Sequence, residues 1–177
     1  QFAQERPLHV VSSRRSSFPS PSTSLIGREK ELTEVCEYLL KSDIRLVTLI
    51  GPPGIGKTRL SLEAARETSA KFADGIFFVP LASLDSPSLV APAILQAFGY
   101  VEINNHSFLE QIANGIGEKQ ILLVLDNFEH LIDGAAPLVS GLPSDVEAEV
   151  HLLEIRVERD SQAPDAGVEK KETDDGD

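Results

Sequence analysis

Apolar and polar residues between positions 25 and 143 fall into alternating blocks, each with the period of a helix or of a strand. Apolar side chains recur at i, i+3, i+4 and i+7 over residues 29–41, which predicts an amphipathic helix. Short, almost wholly apolar runs at 44–50, 75–81 and 121–126 predict strands. Strands this apolar are typical of sheets covered on both faces, as parallel sheets are.

Four more helices are predicted after these strands, at 57–71, 86–99, 107–117 and 129–141. Ser86 before Pro87 has the pattern of an N-cap followed by a first helical residue. Ser107 and Glu110 have the spacing of a capping box. Because strands alternate with helices, we expect an α/β fold: a three-layer sandwich with a mainly parallel sheet.

The two flanks of this region differ from it in composition. Residues 1–24 are rich in Ser, Pro and Arg without apolar periodicity, which predicts a flexible linker. Residues 144–177 contain 12 acidic and four basic side chains, which predicts an acidic tail. Within that tail we expect at most one strand, at 150–157, and disorder over 158–177. Residues 25–143 are therefore interpreted as the folded domain, incomplete on its C-terminal side.

The overall composition restricts the class of protein. The net charge of −12 comes mostly from the acidic tail, so it says little about what the folded part binds. A hydrophobic content of 41% is that of a globular protein, and no apolar run is long enough to span a bilayer. The single cysteine, Cys36, excludes an internal disulfide and fits a reducing compartment. We therefore predict a cytoplasmic protein without membrane contacts.

A phosphate-binding loop is predicted between the first strand and the second helix. Gly51, Gly56, Lys57 and Thr58 match the pattern G-x-x-x-x-G-K-[ST]. Glycines let backbone N–H groups surround phosphate oxygens, and the N-terminus of the following helix favours negative charge. Lys57 is expected to reach the β- and γ-phosphates, and Thr58 to coordinate Mg²⁺. The predicted phosphate-binding residues are Gly51, Pro52, Pro53, Gly54, Ile55, Gly56, Lys57, Thr58 and Arg59.

Asp126 is the second chemical signal. It follows an apolar run and therefore lies at the carboxyl end of a predicted central strand, the edge where ligands bind in open α/β sheets. There its carboxylate could orient a water of the Mg²⁺ held by Thr58, which makes both residues metal-site candidates. The simpler alternative is an Asp that caps the next helix.

Three motifs together resemble the nucleotide-binding domain of STAND proteins, related to NB-ARC and AAA+ modules. They are LIGREKEL at 25–32, GPPGIGKT at 51–58 and ILLVLDNFEH at 121–130. The resemblance is closest to large bacterial ATP-binding transcriptional regulators of the LuxR/MalT and SARP kind. It extends to FFVPLASL at 77–84 and covers about residues 22–142.

The resemblance implies several properties. Ile26, Gly27 and Arg28 would line the adenine pocket, although Arg28 could equally be a solvent-exposed residue at a helix start. ADP would hold a closed state, and exchange for ATP would permit opening and self-association of the full-length protein. DNA would be contacted only by other domains.

The sequence departs from these relatives at the strand-end carboxylate and beyond it. Where hydrolytic relatives carry Glu after the Asp, this chain has Asn127, which can orient a water but cannot take its proton. Glu129 could substitute only if the turn aimed it inward, so Asp126, Asn127 and Glu129 are the catalytic candidates. No strand ending in a Thr-Ser-Arg-like sensor follows residue 142, although 150–157 is a candidate for that sheet position. We therefore expect slow or undetectable hydrolysis.

The sequence predicts a switch module that binds ATP or ADP with Mg²⁺. Two alternatives remain open. A small-molecule kinase shares the phosphate loop, but it would need a basic lid, and no Arg-rich segment follows Asp126. An inert fragment, too incomplete to hold nucleotide, is the other alternative.

Overall fold

The computed structural model describes residues 16–17, 25–100, 107–142, 149–157 and 168–172. Its helices are α1 Glu29–Leu40, α2 Lys57–Glu67, α3 Val90–Ala97, α4 Phe108–Ile116 and α5 Ile132–Ser140. Its strands are β1 Ser16–Ser17, β2 Ile44–Gly51, β3 Gly75–Pro80, β4 Gln120–Asp126, β5 Glu149–Val157 and β6 Val168–Glu172. A 3₁₀ turn, Pro87–Leu89, leads into α3.

The strands form one six-stranded sheet with the order β1-β3-β4-β5-β2-β6. Every neighbouring pair is parallel except β2 and β6, which are antiparallel. The predicted mainly parallel sheet is therefore confirmed. β2 and β4, the strands that carry the two predicted motifs, are not neighbours, because β5 lies between them.

Helices cover both faces of the sheet. Leu122 and Val124 belong to the core beneath α1 and α2. Leu123 and Leu125 belong to the opposite core, which α3, α4 and α5 complete. Successive residues of β4 thus enter different cores, which explains why its sequence shows no polar alternation. The three-layer α/β sandwich is confirmed.

Several predicted boundaries differ from those observed. The helix predicted over 57–71 ends at Glu67, and the one predicted from 129 begins at Ile132. The later start arises because residues 127–131 form a turn, with Asn127 in the left-handed region at φ 61°. The capping box of α4 is confirmed: Glu110 N donates to Ser107 Oγ at 3.2 Å, and Ser107 N donates to Glu110 Oε2 at 3.0 Å.

The C-terminal stretch contributes two strands, so the prediction of at most one is wrong. β5 fills the sheet position suggested for 150–157, and β6 pairs with the outer edge of β2. Apolar content is a poor guide here, because an edge strand is held by backbone hydrogen bonds. The predicted disorder is contradicted at Val168–Glu172. Elsewhere it falls on 158–167 and 173–177, which lie outside the described residues.

The linker predicted over 1–24 also lies outside the described residues, apart from Ser16–Ser17. That pair forms β1, which is parallel to β3. No helix in the described ranges combines the length and the apolar character that crossing a membrane would require.

Candidate nucleotide-binding site

The loop from Gly51 to Lys57 joins the end of β2 to the first residue of α2, as predicted. Gly54 and Gly56 have φ of 77° and 87°, a backbone conformation that L side chains rarely adopt. A Cβ added to either would meet no atom within 4 Å. Glycine is therefore required by the backbone conformation, and the space beside the loop is open.

Lys57 is the buried cation of this loop. Its Nζ donates to Gly51 O at 2.8 Å and to Pro52 O at 2.7 Å. Burial lowers the pKa of Lys57, whereas the carboxylates of Glu129 and Asp126 act to raise it. The ammonium is thus held against the carbonyls of the loop itself, at the position where the motif requires a positive charge.

Thr58 and Asp126 meet across the sheet edge. Thr58 Oγ1 donates to Asp126 Oδ1 at 2.9 Å. Burial raises the pKa of Asp126, and the hydrogen bond from Thr58 acts in the opposite direction. Asp126 is the last residue of β4, so the predicted position of this carboxylate at a strand end is observed.

Glu129 lies in the turn that follows β4. Phe128 and Leu131 are buried in the core and fix both sides of the turn. Asn127 Nδ2 donates to Glu129 Oε1 at 3.4 Å, and the Oε2 atom of Glu129 is shielded from solvent. The Glu129 charge acts on both Lys57 and Asp126. The Glu129 carboxylate is therefore near enough to both side chains for its charge to act on them.

His130 is a contact that the sequence reasoning missed. Its Nε2 lies 2.8 Å from Leu84 O, which ties the turn after β4 to the loop after β3. In addition, Leu81 N donates to Asp126 O at 2.9 Å. The two motifs at 77–84 and 121–130 are therefore hydrogen-bonded to each other. Because β3 and β4 are neighbouring parallel strands, the segments that follow them lie at the same edge of the sheet.

The segment predicted to contact adenine lies next to the phosphate loop. Arg28 Nη1 donates to Ile55 O at 2.8 Å, and its side chain is only 18% exposed. The alternative of a solvent-exposed Arg28 is therefore not observed. Gly27 has φ 74°, and Ile26 is 84% exposed.

The remaining predicted residues differ in exposure. Arg59 and Gly56 are half-buried. Four loop residues are exposed: Pro52, Pro53, Gly54 and Ile55.

The side chains of Lys57, Thr58 and Asp126 suit the binding of a magnesium nucleotide. A hydroxyl and a carboxylate are hard oxygen ligands, and Mg²⁺ usually binds one or two carboxylates together with the phosphates of a nucleotide. Thr58 and Asp126 would supply those oxygens, and Lys57 with the glycine loop would bind phosphate. The open space beside Gly54 and Gly56 leaves the loop backbone accessible to such a ligand.

Two sequence relatives come from Mycobacterium tuberculosis. An uncharacterised protein is 37% identical over 120 residues, which make up 68% of this chain and 30% of that protein. A protein described as a candidate HTH-type transcriptional regulator is 40% identical over 98 residues, 55% of this chain and 11% of that protein. The chain therefore spans less than a third of the length of these relatives.

The fold is also found in a solved structure. The crystal structure of Cdc6p from Pyrobaculum aerophilum superimposes with a TM-score of 0.58 at 20% identity, covering 78% of this chain and 42% of that one. The family model described as "AAA domain" matches residues 40–162, from the end of α1 to beyond β5. This chain belongs to the AAA domain family and is an AAA+ P-loop NTPase domain.

Proposed function

We propose that this domain is a nucleotide switch: it binds ATP or ADP with Mg²⁺ and serves a transcriptional regulator of the STAND type. The observation that carries the proposal is the arrangement of Lys57, Thr58 and Asp126 around one open loop. The relative described as a candidate HTH-type regulator supports the regulatory context. In such a protein the domain would self-associate, and DNA would be bound by segments outside this chain.

Each residue has a distinct part in binding. Lys57 exchanges its hydrogen bonds to loop carbonyls for bonds to phosphate oxygens, which are stronger acceptors because they are charged. Thr58 and Asp126 would hold the metal, directly or through water. When bound, Mg²⁺ would neutralise phosphate charge next to Asp126. Ile26 would offer an exposed apolar surface to the adenine.

Hydrolysis is proposed to be slow. Asn127, directly after Asp126, has an amide side chain that can position water but cannot accept its proton. Glu129 is the carboxylate proposed to do so, because its charge acts on both Lys57 and Asp126. A slow reaction suits a switch, because the bound nucleotide then defines the state of the protein for longer.

Calorimetry with Mg-ADP and Mg-ATP tests the proposal. Lys57→Ala removes a charge-assisted contact and should weaken binding by about 2 kcal/mol or more. Lys41→Ala, which removes an exposed lysine at the end of α1, is the matched control and should bind as the unaltered chain does. Equal affinity for Lys57→Ala would refute the phosphate role. Transfer of the γ-phosphate to added small-molecule acceptors would instead indicate a kinase.

A further inference from the structure

The chain makes a tight turn at Gly27, directly before α1. Gly27 is in the left-handed region, and its N–H donates to Glu29 Oε1 at 3.0 Å. Arg28 is the N-cap residue of α1 but makes no side-chain cap hydrogen bond. A guanidinium has no acceptor atom with which to cap the helix, so it acts here only as a hydrogen-bond donor.

Two hydrogen bonds fix the Arg28 guanidinium. Nη1 donates to Ile55 O at 2.8 Å, and Nε donates to Glu31 Oε1 at 2.9 Å. The pKa of Glu31 is lowered, first by a hydrogen bond from its own backbone N–H and also by Arg28, so this carboxylate is ionised at neutral pH. A planar guanidinium held at two points has a defined direction, which a lysine could not reproduce.

Ile55 lies in an exposed part of the loop. It is between Gly54 and Gly56, whose added Cβ atoms would meet nothing within 4 Å. In a trans peptide the C=O and the following N–H point in opposite directions. Because Arg28 holds Ile55 O, the Gly56 N–H must point away from Arg28. Arg28 thus sets the orientation of one of the amides that a phosphate-binding loop uses.

We propose that Arg28 is a positioning residue for the phosphate loop, which orients the Ile55–Gly56 peptide toward the polyphosphate of the ligand, and does not contact the base. This inference rests on the proposed nucleotide function. It assigns the two halves of the segment different tasks: Ile26 faces the base, and Arg28 organises the loop. Disturbing Arg28 therefore weakens binding of any polyphosphate, with or without a nucleoside.

A purely electrostatic role is the main competitor. Burial is the main cause of the lowered pKa of Lys57, and repulsion from Arg28 adds to it, so the Arg28 charge is felt at the phosphate site. If charge alone mattered, Arg28→Lys would restore binding. If orientation matters, it would not, because an ammonium lacks the planar fork.

Calorimetry with three ligands separates these roles: Mg-ATP, inorganic tripolyphosphate and adenosine. Arg28→Ala should lower the affinities for Mg-ATP and for tripolyphosphate by the same factor, about tenfold, and leave the affinity for adenosine unchanged. Arg28→Lys should not restore either affinity. Ile26→Ala should lower the affinities for adenosine and Mg-ATP but not the affinity for tripolyphosphate. Arg66→Ala is the control, because Arg66 forms an i,i+3 ion pair with Glu63 as Arg28 does with Glu31.

The opposite pattern would overturn the inference. Loss of ATP affinity with unchanged tripolyphosphate affinity would make Arg28 a base contact, and full rescue by Arg28→Lys would reduce it to a charge. Should Arg28→Ala unfold, Glu31→Gln tests the same Glu31–Arg28–Ile55 contacts. It should weaken the binding of both polyphosphates to a smaller extent. Unchanged affinity for both would contradict the proposal.

A nucleotide-free measurement keeps this test separate from the proposed function. The amide ¹H–¹⁵N resonances of Gly54 and Gly56 should shift in Arg28→Ala and stay in place in Arg66→Ala. If the unaltered chain bound neither Mg-ATP nor tripolyphosphate, the proposed function would fail. Shifted glycine amide resonances would still support the role of Arg28 in orienting the loop. Unshifted amides would refute it in either case.

Discussion

The hydroxyl of Thr58 donates a hydrogen bond to the carboxylate of Asp126 at 2.9 Å, although the two residues are 68 positions apart. Thr58 lies in the first turn of α2, and Asp126 is the last residue of β4. Both are oxygen ligands that suit Mg²⁺, so their contact marks the place where metal and phosphate would meet. The hydrogen bond also orients the carboxylate before any ligand arrives.

Thr58→Val tests this pair while preserving side-chain shape. Without the hydroxyl, affinity for Mg-ADP should fall by about tenfold, because a metal ligand is lost. Affinity for ADP in EDTA should change little, since Lys57 remains. Thr33→Val removes a hydroxyl that donates to Glu29 O within α1, and it should change neither affinity. Equal losses with and without Mg²⁺ would contradict a metal role for Thr58.

Asp126→Asn should alter the pH dependence of stability. Burial is the main cause that raises the pKa of Asp126 above its ordinary value of 3.8, so ionisation is less favourable in the folded chain. The contribution of Asp126 to stability is therefore full below pH 3.8 and is lost as the pH rises through the raised pKa. Asparagine cannot ionise, so the Tm of Asp126→Asn relative to the unaltered chain should increase from pH 3 to pH 7.

The same variant should behave in the opposite way with ligand. Stabilisation by Mg-ADP at neutral pH should decrease in Asp126→Asn, because the metal loses an anionic oxygen. A thermal scan series across pH, with and without Mg-ADP, measures both effects. A Tm difference that does not vary with pH would contradict the raised pKa.

Glu129→Gln tests the displaced base. The unaltered chain should turn over ATP well below 1 s⁻¹, about the lower end of ordinary enzymes. Loss of a general base should reduce that rate further by about 100-fold or more, with unchanged nucleotide affinity. Glu118→Gln, at an exposed position, serves as the control. Phosphate release that is equal in both variants would exclude Glu129, and a rate near 1 s⁻¹ would contradict the slow-switch proposal.

Gly115→Ala tests the packing of α4. A Cβ at this position would lie 2.4 Å from Cε2 of Tyr100. That ring is held in place, because its hydroxyl donates to Gly115 O at 3.1 Å and accepts from Lys119 Nζ at 3.2 Å. We expect a loss of about 1–3 kcal/mol in urea unfolding, despite the better helix propensity of alanine. Asn114→Ala in the same helix should not destabilise.

Local patterns were sufficient to predict much of the fold and the centre of the site. The capping box at Ser107 and Glu110 and the glycine loop at 51–58 are defined by residues a few positions apart, so a single sequence reveals them. The strand that ends in Asp126 was predicted because an apolar run followed by a carboxylate is equally local.

Features that depend on distant residues were missed. The contact of Arg28 with the Ile55 carbonyl spans 27 positions and involves a backbone acceptor, which leaves no signature in residue types. β6 was missed for a related reason, since its pairing with β2 is made by backbone groups. The start of α5 was predicted too early, because the left-handed turn at Asn127 is not predictable from apolar periodicity.

The position of β5 has a consequence for Thr58 and Asp126, the proposed metal ligands. With β5 inserted, β2 and β4 are two strand spacings apart, roughly 10 Å. Thr58 and Asp126 bridge that width, so a strand without any recognisable motif acts as the spacer that sets how far apart the two ligands begin. Leu153 of β5 is fully buried beneath α1 and α2. A substitution of Leu153 that shifted β5 would therefore change the spacing of the proposed metal ligands, while leaving every residue of the phosphate loop intact.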